Sequence, residues 1–340
     1  MKTKWFYLLS LSFLLAFSAC SSDGDEQGSL KDSNANKNVV SASVPTEATG
    51  LEFPKIVANG TSRNVVLVRR TADYGVTYST YYDLDKKSPR WCCYQICQSN
   101  NKKNWTRKQW EGATWMGKKW SGNPFQKDPD VDADCQPPVS KEFSGSGYDR
   151  GHIVASEDRV YSQDANGQTF YMTNMYPQMH NFNAGIWEDM EKLVRNFLTY
   201  DMSTQASHAN DTLYVCKGGT IDSSGQILNY TKNGYIVPKY FFCAVLLKNA
   251  KGYQAIGFWF RHNAYGSSET VKGHVVNIRK LEELTGLDFF CNLPDDIERS
   301  VENASCDPNT VKEKWGFLTT SLVVWNKKES VYEKGCVINL

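Results

Sequence analysis

Apolar residues in this chain arrive in short bursts, and that punctuation limits the fold more than any other feature of the sequence. From residue 64 onward, runs such as Val65-Val66-Leu67-Val68, Val76-Thr77-Tyr78 and Trp91-Cys92-Cys93-Tyr94-Gln95-Ile96 are separated by turn residues. Runs of this length, rich in β-branched and aromatic side chains, read as strands. More follow at 212–216, 234–247 and 253–260, and two further strand-like stretches lie at 147–155 and 169–175. One segment departs from the pattern. Over 183–200, Ile186, Trp187, Met190, Leu193, Val194, Phe197 and Leu198 recur at helical spacing, with Glu188, Asp189, Glu191, Lys192 and Arg195 on the other side. That spacing predicts an amphipathic helix. A shorter helix is predicted over 276–285, stopped by Gly286. Strand runs flanking a few helices without strict alternation predict an α+β fold around a central antiparallel sheet.

With 340 residues, 41% of them hydrophobic, the chain can bury a full core. Its 38 basic and 37 acidic residues cancel, so affinity for nucleic acid would have to come from a local patch. The concentrated patch is residues 102–127, with seven basic residues, among them Lys118, Lys119 and Lys127, against one acid, Glu111. Trp105, Trp110, Trp115 and Trp120 are interleaved with them. The segment reads equally as a substrate-binding arm whose rings stack on bases and as a surface loop pinned to the core by its tryptophans.

The N-terminus has the layout of an export signal: Lys2 and Lys4, an apolar stretch from Trp5 to Phe17, then small residues ending in Ser18-Ala19-Cys20. The apolar run falls short of the roughly 18 residues that a membrane span needs. Residues 1–19 are therefore expected to be a signal peptide. Phe17-Ser18-Ala19-Cys20 resembles a bacterial lipoprotein box, which implies cleavage before Cys20 and a lipid anchor on that residue. Residues 20–54 are poor in large apolar side chains and are expected to form a disordered tether. A single domain is expected over 55–340. Ser21-Ser22-Asp23-Gly24-Asp25-Glu26 reads either as a solvated linker or as resembling the export signal of Gram-negative surface lipoproteins. The expectation is an exported lipoprotein at the outer membrane or cell surface, a periplasm-facing one being the alternative. With Cys20 acylated, nine of the ten cysteines remain, too many by one to pair within the chain. Cys216 and Cys243 lie in apolar runs, where buried free thiols are the commoner state.

The chemistry concentrates around His152, one of five histidines, which ends an Asp149-Arg150-Gly151-His152 string. A second polar cluster, Thr173-Asn174-Met175-Tyr176-Pro177-Gln178, precedes Asn183 and the predicted helix carrying Glu191. Phosphodiester hydrolysis needs a base for water, a hard cation for the charge that develops, and a positive group on the non-bridging oxygens. His152, Asn183 and Arg150 have the chemistry for those tasks: imidazole titrates near neutrality, and an amide oxygen is a neutral ligand suited to hydrated magnesium. On a continuous helix, Glu191 would lie about 12 Å and about 80° from Asn183, a geometry that puts its carboxylate on metal-bound water rather than on the metal.

Asp149-Arg150-Gly151-His152, Tyr171-Met172-Thr173-Asn174-Met175-Tyr176-Pro177-Gln178 and Phe182-Asn183-Ala184-Gly185-Ile186-Trp187 with Glu191 resemble the DNA/RNA non-specific endonuclease family. Ser88 to Tyr94, Ile236 to Phe241 and Leu281 to Phe290 are similar to its outer blocks. The resemblance implies a ββα-metal finger on an antiparallel sheet and a magnesium cofactor, with manganese as an alternative. It implies DNA and RNA as substrates, and no protein partner is expected. It implies His152 as general base, Asn183 as metal ligand, Glu191 as holder of metal-bound water, Asn174 as a supporting catalytic residue and Arg150 as a phosphate contact. One departure stands out. The family usually carries a second arginine shortly before the Asp-Pro found here at Asp128-Pro129, and residues 121–127 contain none. Lys118, Lys119 or Lys127 would replace it as a point charge without the bidentate fork. The rival expectation is a surface lipoprotein that binds nucleic acid or glycan on a catalytically weak nuclease scaffold.

Overall fold

The computed structural model describes residues 33–57, 62–139, 147–198, 210–307 and Trp315. The expected signal peptide and Cys20 lie outside the described residues. In chain order the strands are β1 (Asn64–Thr71), β2 (Gly75–Asp83), β3 (Ser88–Cys97), β4 (Thr114–Trp115), β5 (Lys118–Lys119), β6 (Asp149–His152), β7 (Met175–Gln178), β8 (Thr212–Gly219), β9 (Ile227–Tyr230), β10 (Ile236–Pro238), β11 (Tyr240–Asn249), β12 (Gly252–Arg261) and β13 (Val275–Val276). The α-helices are α1 (Gln163–Gln168), α2 (His180–Phe182), α3 (Glu188–Asn196), α4 (Ile278–Thr285) and α5 (Asp295–Glu302). Seven strands form one sheet in the order β1-β2-β3-β8-β11-β12-β13, all neighbours antiparallel. The α+β expectation holds. Gly286 ends α4 in the left-handed conformation at φ 72°, as its position predicts.

The sheet is covered on both faces, because successive side chains of a strand point to opposite sides. Cys92, Tyr94, Val215, Phe241 and Cys243 pack on one face against Phe182, Trp187, Met190 and Val194 of the segment running through α2 and α3. Trp91, Cys93, Cys216, Phe242 and Ala244 pack on the other against Ile278, Leu281, Phe289 and Val301 around α4 and α5. Double burial explains why the strands read as nearly continuous apolar runs. It also accounts for Cys216 and Cys243, which are buried free thiols, as are Cys92 and Cys93.

Three expectations need correcting. The stretch expected to be a tether is folded from Ser33 on, where the compact unit begins. Ala48 and Phe53 enter the second core, and asparagine side chains bind the segment down where apolar residues are few. Asn38, buried, donates from Nδ2 to the Ala48 and Pro54 carbonyls and accepts from the Ile56 amide. Asn34 donates to the Leu293 carbonyl, and the Asp295 amide donates to the Ser33 carbonyl. Second, the strand expected over 169–175 begins only at Met175, since residues 172–174 form a 3₁₀ turn. Third, the helix expected from Asn183 is interrupted. Asn183–Trp187 is a π-turn in which Gly185 is non-helical, and regular α-helix resumes at Glu188. The apolar spacing carries across this break and hides it. The 12 Å and 80° expectation for Asn183 and Glu191 assumed an unbroken helix and does not apply.

The tryptophans of the basic segment pack on one another. Trp110 is fully buried, and Trp115 and Trp120 nearly so. Trp105 meets Trp110 at 5.3 Å and Trp110 meets Trp115 at 5.4 Å between ring centroids. Trp110 and Trp115 donate from Nε1 to Asn166 and Asp164. Buried and hydrogen-bonded, these rings are a local core and not a stacking platform for bases.

Candidate active site

β6 and β7 form a separate antiparallel hairpin in which Arg150 pairs with Pro177, Gly151 with Tyr176 and His152 with Met175. The chain then turns through α2 and the π-turn into α3, which completes a ββα unit on the first face of the sheet. Gly151 is dictated by packing. A Cβ there would lie 2.1 Å from Oε1 of Gln178, whose side chain runs over the glycine. Gln178 is fully buried, and neither end of its carboxamide has a partner among the described residues.

His152 sits between aromatic rings, perpendicular to Phe170 at 5.0 Å and tilted against Phe125 at 5.6 Å between centroids. Nε2 of the imidazole is buried with no partner among the described residues. Burial holds this histidine well below its ordinary pKa, and the charges of Arg107, Arg150 and Lys217 press in the same direction. The ring is neutral at physiological pH and ready to accept a proton.

Arg150 lies 3.5 Å above the centroid of Phe125 and donates to the Val139 carbonyl. It does not serve folding through Asp149 or Asp158. Asp149 accepts from Asn183 Nδ2 at 3.0 Å and pairs with His180 Nδ1 at 2.9 Å. Asp158 pairs with Arg195 Nε at 2.6 Å and accepts from the Tyr94 hydroxyl at 2.6 Å. The bond to Asp149 fixes the nitrogen end of the Asn183 amide and so orients its carbonyl oxygen.

Glu191 is buried and receives a hydrogen bond from Lys217 Nζ at 2.8 Å; the same ammonium lies 3.7 Å from Asp158. Burial raises the Glu191 pKa against the pull of Lys217. Burial would depress Lys217, but Glu191 and Asp158 hold it above its ordinary value. Glu191, Lys217, Asp158, Arg195 and Tyr94 thus form one enclosed ionic network under the hairpin.

Asn174 needs a correction. It is fully buried, accepts from the Val154 amide at 2.9 Å, and donates to the carbonyls of Val154 and Thr169. With its amide committed to the backbone, it is a strut that positions the end of β6 and not a group that meets substrate. Lys127 is also committed elsewhere, donating to the Ala133 carbonyl. Lys118 covers the Trp120 ring at 3.9 Å, and Lys119 is exposed on the same small hairpin. The cations that act on His152 are Arg107, Arg150 and Lys217. Of these, Arg107 is one of the seven basic residues of the 102–127 segment and had no individual role in the sequence reading, and Lys217 had none at all. A lysine embedded in the apolar run Leu213-Tyr214-Val215-Cys216-Lys217 was the available signal for the second.

His262 is another residue without a sequence-based role. Fully enclosed, it bonds through Nδ1 with the Pro238 carbonyl and accepts through Nε2 from the Met179 amide, next to α2. Burial lowers its pKa to about 4, with the Pro238 bond opposing. Because the folded value lies below the unfolded one, its contribution is intact above about 6.5 and is lost as pH falls toward 4. His262→Phe is expected to destabilise the protein by about 1–3 kcal/mol at neutral pH, since the Met179 amide loses its acceptor. Urea unfolding at pH 7 and pH 5 checks this: the gap between wild type and variant should narrow at the lower pH.

The donor types at the ββα unit suit a hydrated hard cation: a neutral amide oxygen at Asn183, oriented by Asp149, and the Glu191 carboxylate on the helix that follows, with no histidine–cysteine cage among the described residues. A cluster of Glu282, Asp288 and Glu302, with ligand atoms within 4.8 Å of one another, belongs to the α4–α5 side, where Arg279 pairs with two of the three.

The profile of the DNA/RNA non-specific endonuclease family matches residues 55–296. The chain is 30% identical over 164 residues to human mitochondrial endonuclease G, a match covering 46% of this chain and 52% of that protein. It is 29% identical over 169 residues to a nuclease of Nostoc sp., covering 47% and 57%. Nuclease C1 of Cunninghamella echinulata is 30% identical over 174 residues, covering 50% and 67%. The chain therefore spans between about half and two thirds of the length of these relatives. Among solved structures, a chain of an EndoG/EndoGI complex shares the fold with TM-score 0.52 at 21% identity, covering 66% of this chain and 86% of that one.

Proposed function

The chain belongs to the DNA/RNA non-specific endonuclease family, and from that premise we propose that it hydrolyses phosphodiester bonds of DNA and RNA with little sequence preference. The observation that carries this reading is the state of His152: an enclosed, neutral imidazole whose Nε2 has no protein partner. Nε2 takes the proton of the attacking water. The Arg150 backbone beside the ring favours the imidazolium that results. Arg150, held flat on Phe125, faces the non-bridging oxygens. Asn183, oriented by Asp149, would hold magnesium or manganese, with Glu191 reaching it through water. When bound, that ion supplies positive charge at the leaving 3′ oxygen. Lys217 holds the Glu191 carboxylate in place and opposes the rise in its pKa that burial causes. The resemblance implies products with 5′ phosphates.

The test is cleavage of supercoiled plasmid and of structured RNA by the full chain, with magnesium, with manganese and with chelator. Degradation of both polymers that needs the ion is expected. A folded protein that cuts neither with any divalent metal sinks the reading and favours the binding-scaffold alternative. For location, we propose export with acylation at Cys20 and residence at the outer membrane or cell surface. Radiolabelled palmitate should enter the wild type and not Cys20→Ser; equal labelling refutes it.

A further inference from the structure

Two guanidiniums, and not one, stand on the rings that frame His152. Arg150 covers Phe125, and Arg107 covers Phe170 with its guanidinium carbon 5.3 Å from the ring centroid. The two rings meet edge to face at 5.0 Å, and His152 touches both. Arg107 belongs to the basic segment, far from the hairpin in sequence, yet its position is built. Thr106 and Gln109 close a capping box around the 3₁₀ turn Arg107–Trp110. Trp110, fully buried, anchors that turn through Asn166, and the amides of Asn104 and Trp105 both donate to the Val160 carbonyl. Arg107 Nε donates to Asn123 Oδ1 at 3.1 Å.

Both guanidiniums stand beside the site without a carboxylate in direct contact, Glu157 acting on Arg107 only from a distance. Arg69, Arg90, Arg195 and Arg279 each hold a carboxylate. Among the described residues, no carboxylate lies within salt-bridge reach of Arg107 or Arg150, and the terminal nitrogens of Arg107 have no protein partner. Positive charge that no ion pair covers disfavours a proton on the imidazole beside it and attracts an anion. A guanidinium on an aromatic face still presents donors to phosphate oxygens; the terminal nitrogens of Arg107 are open among the described residues, whereas Nη1 of Arg150 also meets the Val139 carbonyl.

We propose that Arg107 is a second contact to the phosphate that is cut, acting with Arg150 as a two-armed clamp beside His152. This rests on the endonuclease reading and deepens it: the substrate is recognised through a dianionic-like, pentacoordinate phosphorus whose oxygens both arms meet. Neutralisation by a fork is worth most where charge develops, so the effect belongs in turnover as well as in binding. It also gives the basic segment a role that its buried tryptophans cannot fill.

The experiment compares Arg107→Ala, Arg107→Lys and Arg150→Ala in the full chain. For Arg107→Ala we expect kcat/KM on plasmid to fall about 100-fold, with kcat falling at least tenfold, and for Arg107→Lys only partial rescue. Thermal melting should be unchanged, because Arg107 is exposed and pairs with no carboxylate. A second readout is independent of turnover. In a His152→Ala background without divalent metal, Arg107→Ala should weaken binding of fluorescein-labelled DNA about tenfold and lower the slope of log affinity against log salt by about 1. Cleavage and binding within twofold of the parent proteins overturn the proposal, as does a rise in KM alone, which would place Arg107 on a flanking phosphate. If the wild type cuts nothing, the endonuclease reading fails by itself, and the binding arm still decides whether Arg107 meets phosphate.

Discussion

Replacing His152 by alanine is expected to lower cleavage of DNA and RNA by roughly 10²–10⁴-fold while leaving the protein folded. The loss should appear in kcat, because the imidazole acts on the water proton and makes no contact that holds the substrate. The pH dependence sharpens this. Burial, then the charges of Arg107, Arg150 and Lys217, keep His152 well below its ordinary value of 6.5, so the acid limb of the rate profile should lie below 6.5 too. The same shift has a stability consequence of definite sign. Below 6.5 the unfolded chain takes up a proton that the folded protein refuses, so stability falls as pH drops through that range. His152→Ala removes this liability, and denaturant titrations at pH 5 and pH 7 should show a smaller acid loss for the variant. Full activity in the variant, or an acid limb above 6.5, contradicts the assignment of the base.

The second large effect is structural. Lys217→Met is expected to destabilise the protein by about 3–5 kcal/mol, because it leaves Glu191 without its ammonium partner in an enclosed site. Lys217 is 1% exposed along its side chain and Glu191 9%, so water cannot take over. Arg195 still serves Asp158, which confines the damage to one carboxylate. Glu191 would then take up a proton at a higher pH than in the wild type. The double variant Lys217→Met with Glu191→Gln should recover part of the loss, since no charge is then left unpaired. Urea midpoints of the two single variants and the double one form the cycle; strict additivity would mean that the two side chains do not act together.

The strands were legible because a doubly covered sheet forces β-branched and aromatic residues into compact runs, and the turns between them have their own residues. β1, β2, β3, β8, β11 and β12 fall where those runs lie. Local patterns failed where a non-local partner decides the outcome. The break at Gly185 is invisible to a periodicity that Ile186, Trp187 and Met190 continue on its far side. Residues 33–57 lack an apolar face and are held by asparagine amides that reach carbonyls near Ala48, Pro54 and Leu293. At the site, the motif singled out His152, Arg150, Asn183 and Glu191, which the structure places on β6, the π-turn and α3 of one ββα unit, whereas Asn174 is tied to the backbone of Val154 and Thr169. Arg107 and Lys217 come to the ββα unit from other elements, so the motif does not contain them, and their effect on His152 follows from three-dimensional proximity.

The way the chain enters the domain has a mechanical consequence. Ser33 and Asn38 are stitched to Asp295 and Asn292 beside α5, on the side of the sheet that faces away from the β6–β7 hairpin. Tension on the chain upstream of Ser33 would be carried first by those backbone and amide bonds, loaded together, and then by the second core. The hairpin hangs from the other face and lies off this load path. A pull applied at Ser33 would therefore strain the bonds of Asn38 before it reached the packing that spaces His152 and Asn183.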